Sequence, residues 1–213
     1  MPSIIQAGNV ASSGLVATGA TDGILELRSG TADGGAVAIT VDAAQNIVLA
    51  KGISGTSLQV VSVLTTAQGS QSLAAVTETV VTGLTLSITP KGANSKFLVQ
   101  ARAFGESSDA QDNVYNVLMD GVRVNIGGST QSFAGLSLAT ATYGGGEETT
   151  STPEILTLST LVSTSSVVGT PITFALAITA SAGKTLFNNR CVTAPETGYE
   201  VGSSEIIITE IGA

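Results

Sequence analysis

Short runs in which apolar and polar residues alternate recur along the chain. In residues 84–89 each leucine or isoleucine is followed by threonine or serine, and residues 172–179 repeat the pattern with threonine and alanine. A period of two places alternate side chains on opposite faces of an extended segment. The pattern therefore predicts strands with one face in a core. No segment convincingly indicates a helix.

The predicted strands fall into two groups. Short alternating runs at 25–28, 37–41 and 47–49, joined by turns at 30–35 and 42–46, form the first group. So few large side chains cannot bury enough surface alone, and we expect this group to gain stability from partner chains. The second group follows a linker at 51–56 and consists of Leu58–Thr66, Glu78–Thr89, Lys96–Phe104, Asn113–Met119, Val122–Ile126, Leu136–Tyr143, Ile155–Val162, Ile172–Ala180, a weak strand around Leu186, and Glu205–Ile211.

This series of strands predicts the fold class and the domain organisation. Many antiparallel strands without helices indicate a sandwich or a barrel. We therefore expect an all-β protein with a small β-rich region at residues 1–55 and a β-sandwich domain at residues 56–213.

One hairpin can be predicted to the residue. Asp120 and Gly121 stand between Met119 and Val122. Asp-Gly is preferred in type I′ turns because both central residues need positive φ. The two-residue loop fixes the register. The expected pairs are Met119 with Val122, Val117 with Val124, and Tyr115 with Ile126.

The C-terminal strand, Glu205–Ile211, is apolar on both faces. Ile206 and Ile208 point to one side, and Ile207 and Ile211 point to the other. In a sandwich one face meets the core, and a neighbouring subunit is the simplest cover for the second. The alternative is a central strand beneath a long loop. The sequence does not say which face meets the core.

The low charge of the chain supports association between subunits. Charged residues make up 11% of the chain, and its hydrophobic fraction is 43%, whereas ordinary soluble domains have about 25% charged residues. Strand faces made of threonine and alanine resemble protein interfaces, where charge is depleted, more than free surface. We therefore expect an oligomer.

Composition excludes several classes of function. The chain has no histidine and one cysteine, Cys191, so histidine-based catalytic triads, histidine-based zinc sites and internal disulfides are ruled out. We interpret Cys191 as a buried cysteine. The net charge of −8 repels phosphate backbones, and we expect no nucleic-acid binding. The start of the chain has no basic n-region, and no apolar run is long enough to cross a bilayer, so we expect neither signal-peptide secretion nor membrane insertion.

The remaining polar residues offer few candidate sites. Glu106, Asp109 and Asp112 could hold a calcium ion, although their order fits no EF-hand loop. Tyr143 and Tyr199 are the loop aromatics that could contact a ligand, with packing as the alternative. No pair of facing carboxylates can be nominated for glycoside hydrolysis. We expect no catalytic activity and no cofactor.

Two segments resemble phage virion appendage proteins, the trimeric fibres, spikes and decoration proteins of tailed phages. The N-terminal TDGILELRSGTADGGAVAITVDAAQNIVLAKG is similar to the short β-strand units of fibre shafts and attachment regions. The C-terminal SSEIIITEIGA is similar to the last strand of phage jelly-roll knobs. The resemblance implies a homotrimer with a jelly-roll C-terminal domain and a location in the virion.

The sequence thus predicts a non-enzymatic virion protein, a trimeric fibre or spike-like appendage attached through residues 1–55. Its expected partners are two further copies of itself and other virion proteins of the capsid, neck or tail. One alternative is a cement or decoration protein that stabilises the head shell. Another is a lectin-like module that recognises a host-surface glycan through loops.

Overall fold

A computed structural model describes residues 25–29, 36–41, 47–49, 55–108, 113–126, 135–139, 153–193 and 200–213. The secondary structure of these residues is all β, with no helix among them. The chain divides into two compact units, Met1–Ser54 and Gly55–Ala213. Each unit is described by itself.

The first unit contains one antiparallel sheet. Its strands are β1 (Leu25–Ser29), β2 (Ala36–Val41) and β3 (Ile47–Leu49), in the order β1-β2-β3. Leu27 pairs with Ile39, and Ile39 pairs with Leu49. The alternating runs in this part of the sequence are therefore confirmed as strands.

The second unit contains the remaining strands, which form two antiparallel sheets. Their bounds are β4 (Ser57–Thr65), β5 (Gly69–Leu73), β6 (Glu78–Ile88), β7 (Lys96–Ser107), β8 (Asn113–Met119), β9 (Val122–Arg123), β10 (Ser137–Ala139), β11 (Glu154–Ser163), β12 (Ile172–Ala180), β13 (Lys184–Asn188) and β14 (Ser204–Ile211).

The smaller sheet has the order β10-β8-β12-β6, with β9 paired to β8. The larger sheet has the order β4-β14-β7-β13-β5, with β11 paired to β7. Strand β7 is long enough to pair with three strands. It pairs with β11 along one edge and with β14 and then β13 along the other. The expected all-β, antiparallel architecture is confirmed.

The two sheets enclose one apolar core to which both contribute alternate side chains. The rings of Phe97 and Phe174 lie 5.6 Å apart between the sheets. Ile206 and Ile208 of β14 are fully buried in the same core, whereas Ile207 lies on the opposite face and is half-buried. The structure thus settles which face of the last strand is core.

The predicted hairpin forms with the expected turn. Asp120 and Gly121 both have positive φ, 50° and 81°, and Met119 pairs with Val122. Asp120 also fastens the turn to β12, because its Oδ1 accepts a hydrogen bond from the Thr173 amide at 2.9 Å. The type I′ prediction is therefore confirmed.

The far part of the predicted hairpin is wrong. Strand β9 ends at Arg123, and Asn125 takes a φ of 57°, which turns the chain away from β8. Tyr115 pairs with Ser137 of β10 on that edge, so it does not pair with Ile126. Strand β5 was not predicted from the sequence. Of the strand expected at 136–143, the structure contains β10, and residues 140–143 lie outside the described part.

The sandwich has two distinct ends. At the end that we call the base, Gly55 donates a hydrogen bond to the Gly212 carbonyl and Gly212 donates to the Thr56 carbonyl, each at 2.9 Å. Tight turns at 89–95 and 164–171 also lie at the base, joined by a hydrogen bond from the Gly169 amide to the Pro90 carbonyl. The opposite end, the far end, is formed where β7 stops and β8, β11 and β14 start.

We expect an aspartate at position 208 to unfold the second unit and an aspartate at position 207 to leave it folded. Ile208→Asp would place an unpaired carboxylate among the core side chains, at a cost of about 4 kcal/mol or more. Ile207→Asp adds the same charge on the half-buried outer side. Chemical denaturation followed by circular dichroism checks this difference. Equal free energies of unfolding for the two variants would contradict the assignment of the faces.

Candidate functional site

The outer face of the larger sheet carries its side chains in rows that run across the strands. Each row takes one residue from β11, β7, β14 and β4, because these strands pair in that order. We define the outer face by three such rows: Leu161, Leu98, Thr209 and Val60; Ser159, Gln100, Ile207 and Ser62; Thr157, Arg102, Glu205 and Leu64.

This outer face is poor in charge and exposes large apolar side chains. Val60 is 59% exposed, Leu64 is 58% exposed and Leu161 is 47% exposed. Arg102 and Glu205 are the charged members of the three rows. Single exposed apolar residues are ordinary. Several on one charge-depleted sheet face match the composition of an interface core.

An open groove runs across the middle of the outer face. Its volume is about 340 Å³, and its side chains include Gln100, Arg102, Thr157, Glu205 and Ile207. None of the described residues that line it is aromatic, so these residues offer a sugar ring no stacking platform. The groove is better suited to the side chains of a neighbouring protein surface.

The outer side of the smaller sheet differs, because much of it is already buried in the single chain. Ala177 and Thr179 are fully buried, although the sequence interpretation made the threonine and alanine face an interface. Next to them, Glu78 Oε1 accepts hydrogen bonds from Arg123 Nε at 2.7 Å and Asn116 Nδ2 at 3.0 Å. The buried part of this face therefore needs no partner subunit to cover it.

A buried carboxylate fastens the end of β14 to the base. Glu210 follows Ile206 and Ile208 on the core side and is fully buried. It accepts hydrogen bonds from the Lys91 and Gly92 amides at 2.9 Å, from Ser95 Oγ at 2.7 Å and from Gln59 Nε2 at 2.6 Å.

These contacts decide the protonation state of Glu210. Burial by itself raises the pKa of this carboxyl, but the hydrogen bonds from Ser95, Lys91, Gly92 and Gln59 together outweigh burial and hold the pKa below its usual range. Two consecutive backbone amides pointing at one carboxylate form an anion-binding nest. Glu210 is thus a structural anion that positions the turn at 89–95.

At the far end, the predicted calcium ligands are only partly described. Glu106 is buried, and its Oε2 accepts a hydrogen bond from the Val192 amide at 2.7 Å. Asp109, Asp112, Tyr143 and Tyr199 lie outside the described residues. The calcium site and the aromatic ligand loops therefore stay predictions.

A small cavity lies beneath the same end, between β7, β8, β11 and β13. Its volume is about 20 Å³, and Ser107, Tyr115 and Glu154 are among its polar lining residues. Burial first, and then the nearby Glu106 carboxylate, raise the pKa of Glu154. Burial and the Glu154 charge likewise raise the pKa of the Tyr115 phenol.

The described part of the chain shows no metal-ligand cluster and no membrane-spanning helix. No group of three or more Asp, Glu, Cys or His side chains there gathers closely enough to hold a metal ion. No helix among the described residues has the length and apolar character needed to cross a membrane. Cys191 is fully buried with a free thiol, as expected.

A scan against models of known protein families finds no match to this sequence. A search of curated proteins likewise finds no similar protein.

We expect Glu210→Gln to lower the free energy of unfolding by about 3 kcal/mol near neutral pH. In glutamine an NH2 group replaces one of the two carboxylate oxygens. Some of the backbone and serine donors around position 210 then face another donor and lose their acceptor. Unfolding in urea, followed by circular dichroism, measures the loss. Glu205→Gln is the matched control, because it removes a carboxylate from the partly exposed face of the same strand.

The loss should depend on pH in a defined direction. The pKa of Glu210 is lower in the folded chain than its unfolded value of about 4.3, so the ionised group stabilises the fold above that pH. This stabilisation disappears as the pH falls through the lowered pKa. The difference between wild type and Glu210→Gln should therefore shrink in acid. A difference that grows in acid would contradict the anionic role.

Proposed function

We propose that the chain is a non-enzymatic structural protein of a phage virion, a trimeric fibre or spike-like appendage attached through its N-terminal unit. The observation that carries the proposal is the charge-poor outer face of the larger sheet, with Ile207 at its centre and exposed Val60, Leu64 and Leu161 around it. This face offers a surface for assembly, and it offers no constellation for catalysis.

The order of the strands supports a jelly-roll assignment for the second unit. Strands β4, β7, β11 and β14 belong to the larger sheet, and β6, β8, β10 and β12 belong to the smaller one. The chain therefore passes repeatedly between the sheets, and its last long strand returns to lie beside its first. Eight strands wound in this way through two antiparallel sheets match the jelly-roll arrangement, which is common in viral capsid and lectin domains, and β5, β9 and β13 add to these eight.

The trimer is supported by the same outer face. In a closed ring of three copies each subunit presents one patch to one neighbour and a different patch to the other. The outer face would be one of these two patches. Covering it would bury the exposed leucine and valine side chains and complete the burial of Ile207, which is half-buried in the single chain.

Attachment through the first unit is supported by the division of the chain. Met1–Ser54 and Gly55–Ala213 are separate compact units, and all strands of the sandwich belong to the second.

A cement or decoration protein of the head shell is the second candidate. The exposed apolar side chains favour it as much as they favour a trimer, because a cement protein buries its flank against the shell. A lectin-like function is supported less well, because none of the described residues that line the groove on the outer face is aromatic. The position of the chain in a cryo-EM map of the intact particle discriminates between head and tail locations.

We expect the purified chain to sediment at about three times its mass of 21.2 kDa, and we expect Ile207→Asp to dissociate it. A charge in the centre of an apolar interface lacks a partner and loses its hydration. Thr85→Asp is the control, since it places the same charge on an exposed position of the smaller sheet. Sedimentation equilibrium measures both variants. A wild-type monomer at micromolar concentration would contradict the trimer.

We expect a chain lacking residues 1–54 to stay folded and to lose its incorporation into particles. The core of the second unit draws its side chains from residue 61 onward, so the deletion removes none of them. Circular dichroism measures folding, and quantitative blotting of purified particles measures incorporation. Full-length protein supplied to particles that lack it is the control. A truncated chain that still assembles would place the attachment surface in the second unit.

A further inference from the structure

The cavity at the far end has the size of a single small occupant. Its volume is about 20 Å³, and it is enclosed between strands of both sheets. A cavity must offer roughly 10–15 Å³ to a water-sized probe before it can hold one water or an ion of similar size. The space is therefore sufficient for one atom and too small for any organic ligand.

Some of the polar side-chain atoms at this cavity are oxygens without a hydrogen-bond partner among the described residues. Glu154 Oε1 and Ser107 Oγ are buried and have no hydrogen-bond partner within the described part of the chain. Both residues line the cavity, together with the side chains of Asn113 and Tyr115. Glu154 as a whole is half-buried, but its Oε1 is shut off from solvent, and a buried oxygen without a hydrogen-bond partner is costly.

The walls of the cavity determine which occupant can satisfy Glu154. The described lining residues include no lysine, arginine, histidine or cysteine. Asn188 also lines the cavity, but its Nδ2 donates to Gln71 Oε1 at 3.2 Å, and most of the other walls are apolar, among them Val81, Leu156 and Leu186. No protein cation therefore neutralises the carboxylate from within the cavity. Carboxylate, hydroxyl and amide oxygens are ligands of hard cations, and soft metals prefer sulfur and imidazole.

We propose that this cavity binds one hard cation, with Glu154 and Ser107 as side-chain ligands. The cation neutralises the Glu154 carboxylate and fastens the start of β11 to the end of β7, next to the pairing of Glu154 with Gly105. The site supplies a single carboxylate, so its affinity should lie in the millimolar range of weak calcium modules. Calcium and sodium share the required oxygen chemistry, and the experiment separates them.

The test is thermal unfolding of the full-length chain, freed of metal with a chelator and followed by circular dichroism. Calcium chloride and sodium chloride are added separately, and tetramethylammonium chloride keeps the ionic strength equal, since that cation is too large for the cavity. We expect calcium, sodium or both to raise the Tm by about 3 °C above the tetramethylammonium baseline. No rise in either arm overturns the proposal.

Variants locate the bound cation. Glu154→Gln keeps the shape of the side chain and removes its charge, so the cation-dependent rise should vanish. Ser107→Ala should reduce it, and Ser107→Ala keeps the test valid if Glu154→Gln fails to fold. Glu200→Gln removes an exposed carboxylate and should keep the full rise. A rise that survives in Glu154→Gln but is lost in Asp109→Asn would assign the cation to the 109–112 loop and overturn the cavity site.

Discussion

The pairing of β14 with both β4 and β7 is the constraint on which the second unit depends. Its backbone is hydrogen-bonded on both edges from Glu205 to Ile211. Its core side contributes Ile206 and Ile208 to the packing between the sheets. Glu210 then holds the turn at 89–95 in place through hydrogen bonds to its amides. Without β14 the larger sheet would separate into two pieces, and the outer face would lose its central column.

The sequence predicted this strand well but could not predict how its faces are used. The isoleucines on both faces show that both sides of the strand must be buried. The sequence of an apolar face is the same, however, whether it packs in a core or against another subunit. Glu210 was missed because a charged residue near a strand end normally points to water. The available signal was its spacing from Ile206 and Ile208, which places it on the core side. Its partners, Lys91 and Gly92, lie more than a hundred residues earlier, where no local pattern can link them.

The sequence predicted a charge-poor strand face but placed it partly on the wrong sheet. Ala175, Ala177 and Thr179 of β12 lie on the face that the sequence interpretation assigned to an interface, and they are buried. They are buried within their own chain, however, and the exposed Val60, Leu64 and Leu161 lie on the other sheet. The outer face emerges only when β11, β7, β14 and β4 are placed side by side. That order joins strands far apart in sequence, and alternation within one strand carries no information about it.

The pairing of β4 with β14, closed at the base by the hydrogen bond from the Gly55 amide to the Gly212 carbonyl, has a consequence for synthesis on the ribosome. Strand β4 is made first among the long strands of its sheet, but its partner in that sheet is β14. During translation one edge of β4 and one edge of β7 therefore stay open until β14 has left the exit tunnel. Open strand edges on neighbouring nascent chains can pair with one another. Contacts between strands far apart in sequence form slowly. Neighbouring nascent chains on one polysome therefore have time to pair through their open edges, and chaperones that bind extended segments would prevent this pairing.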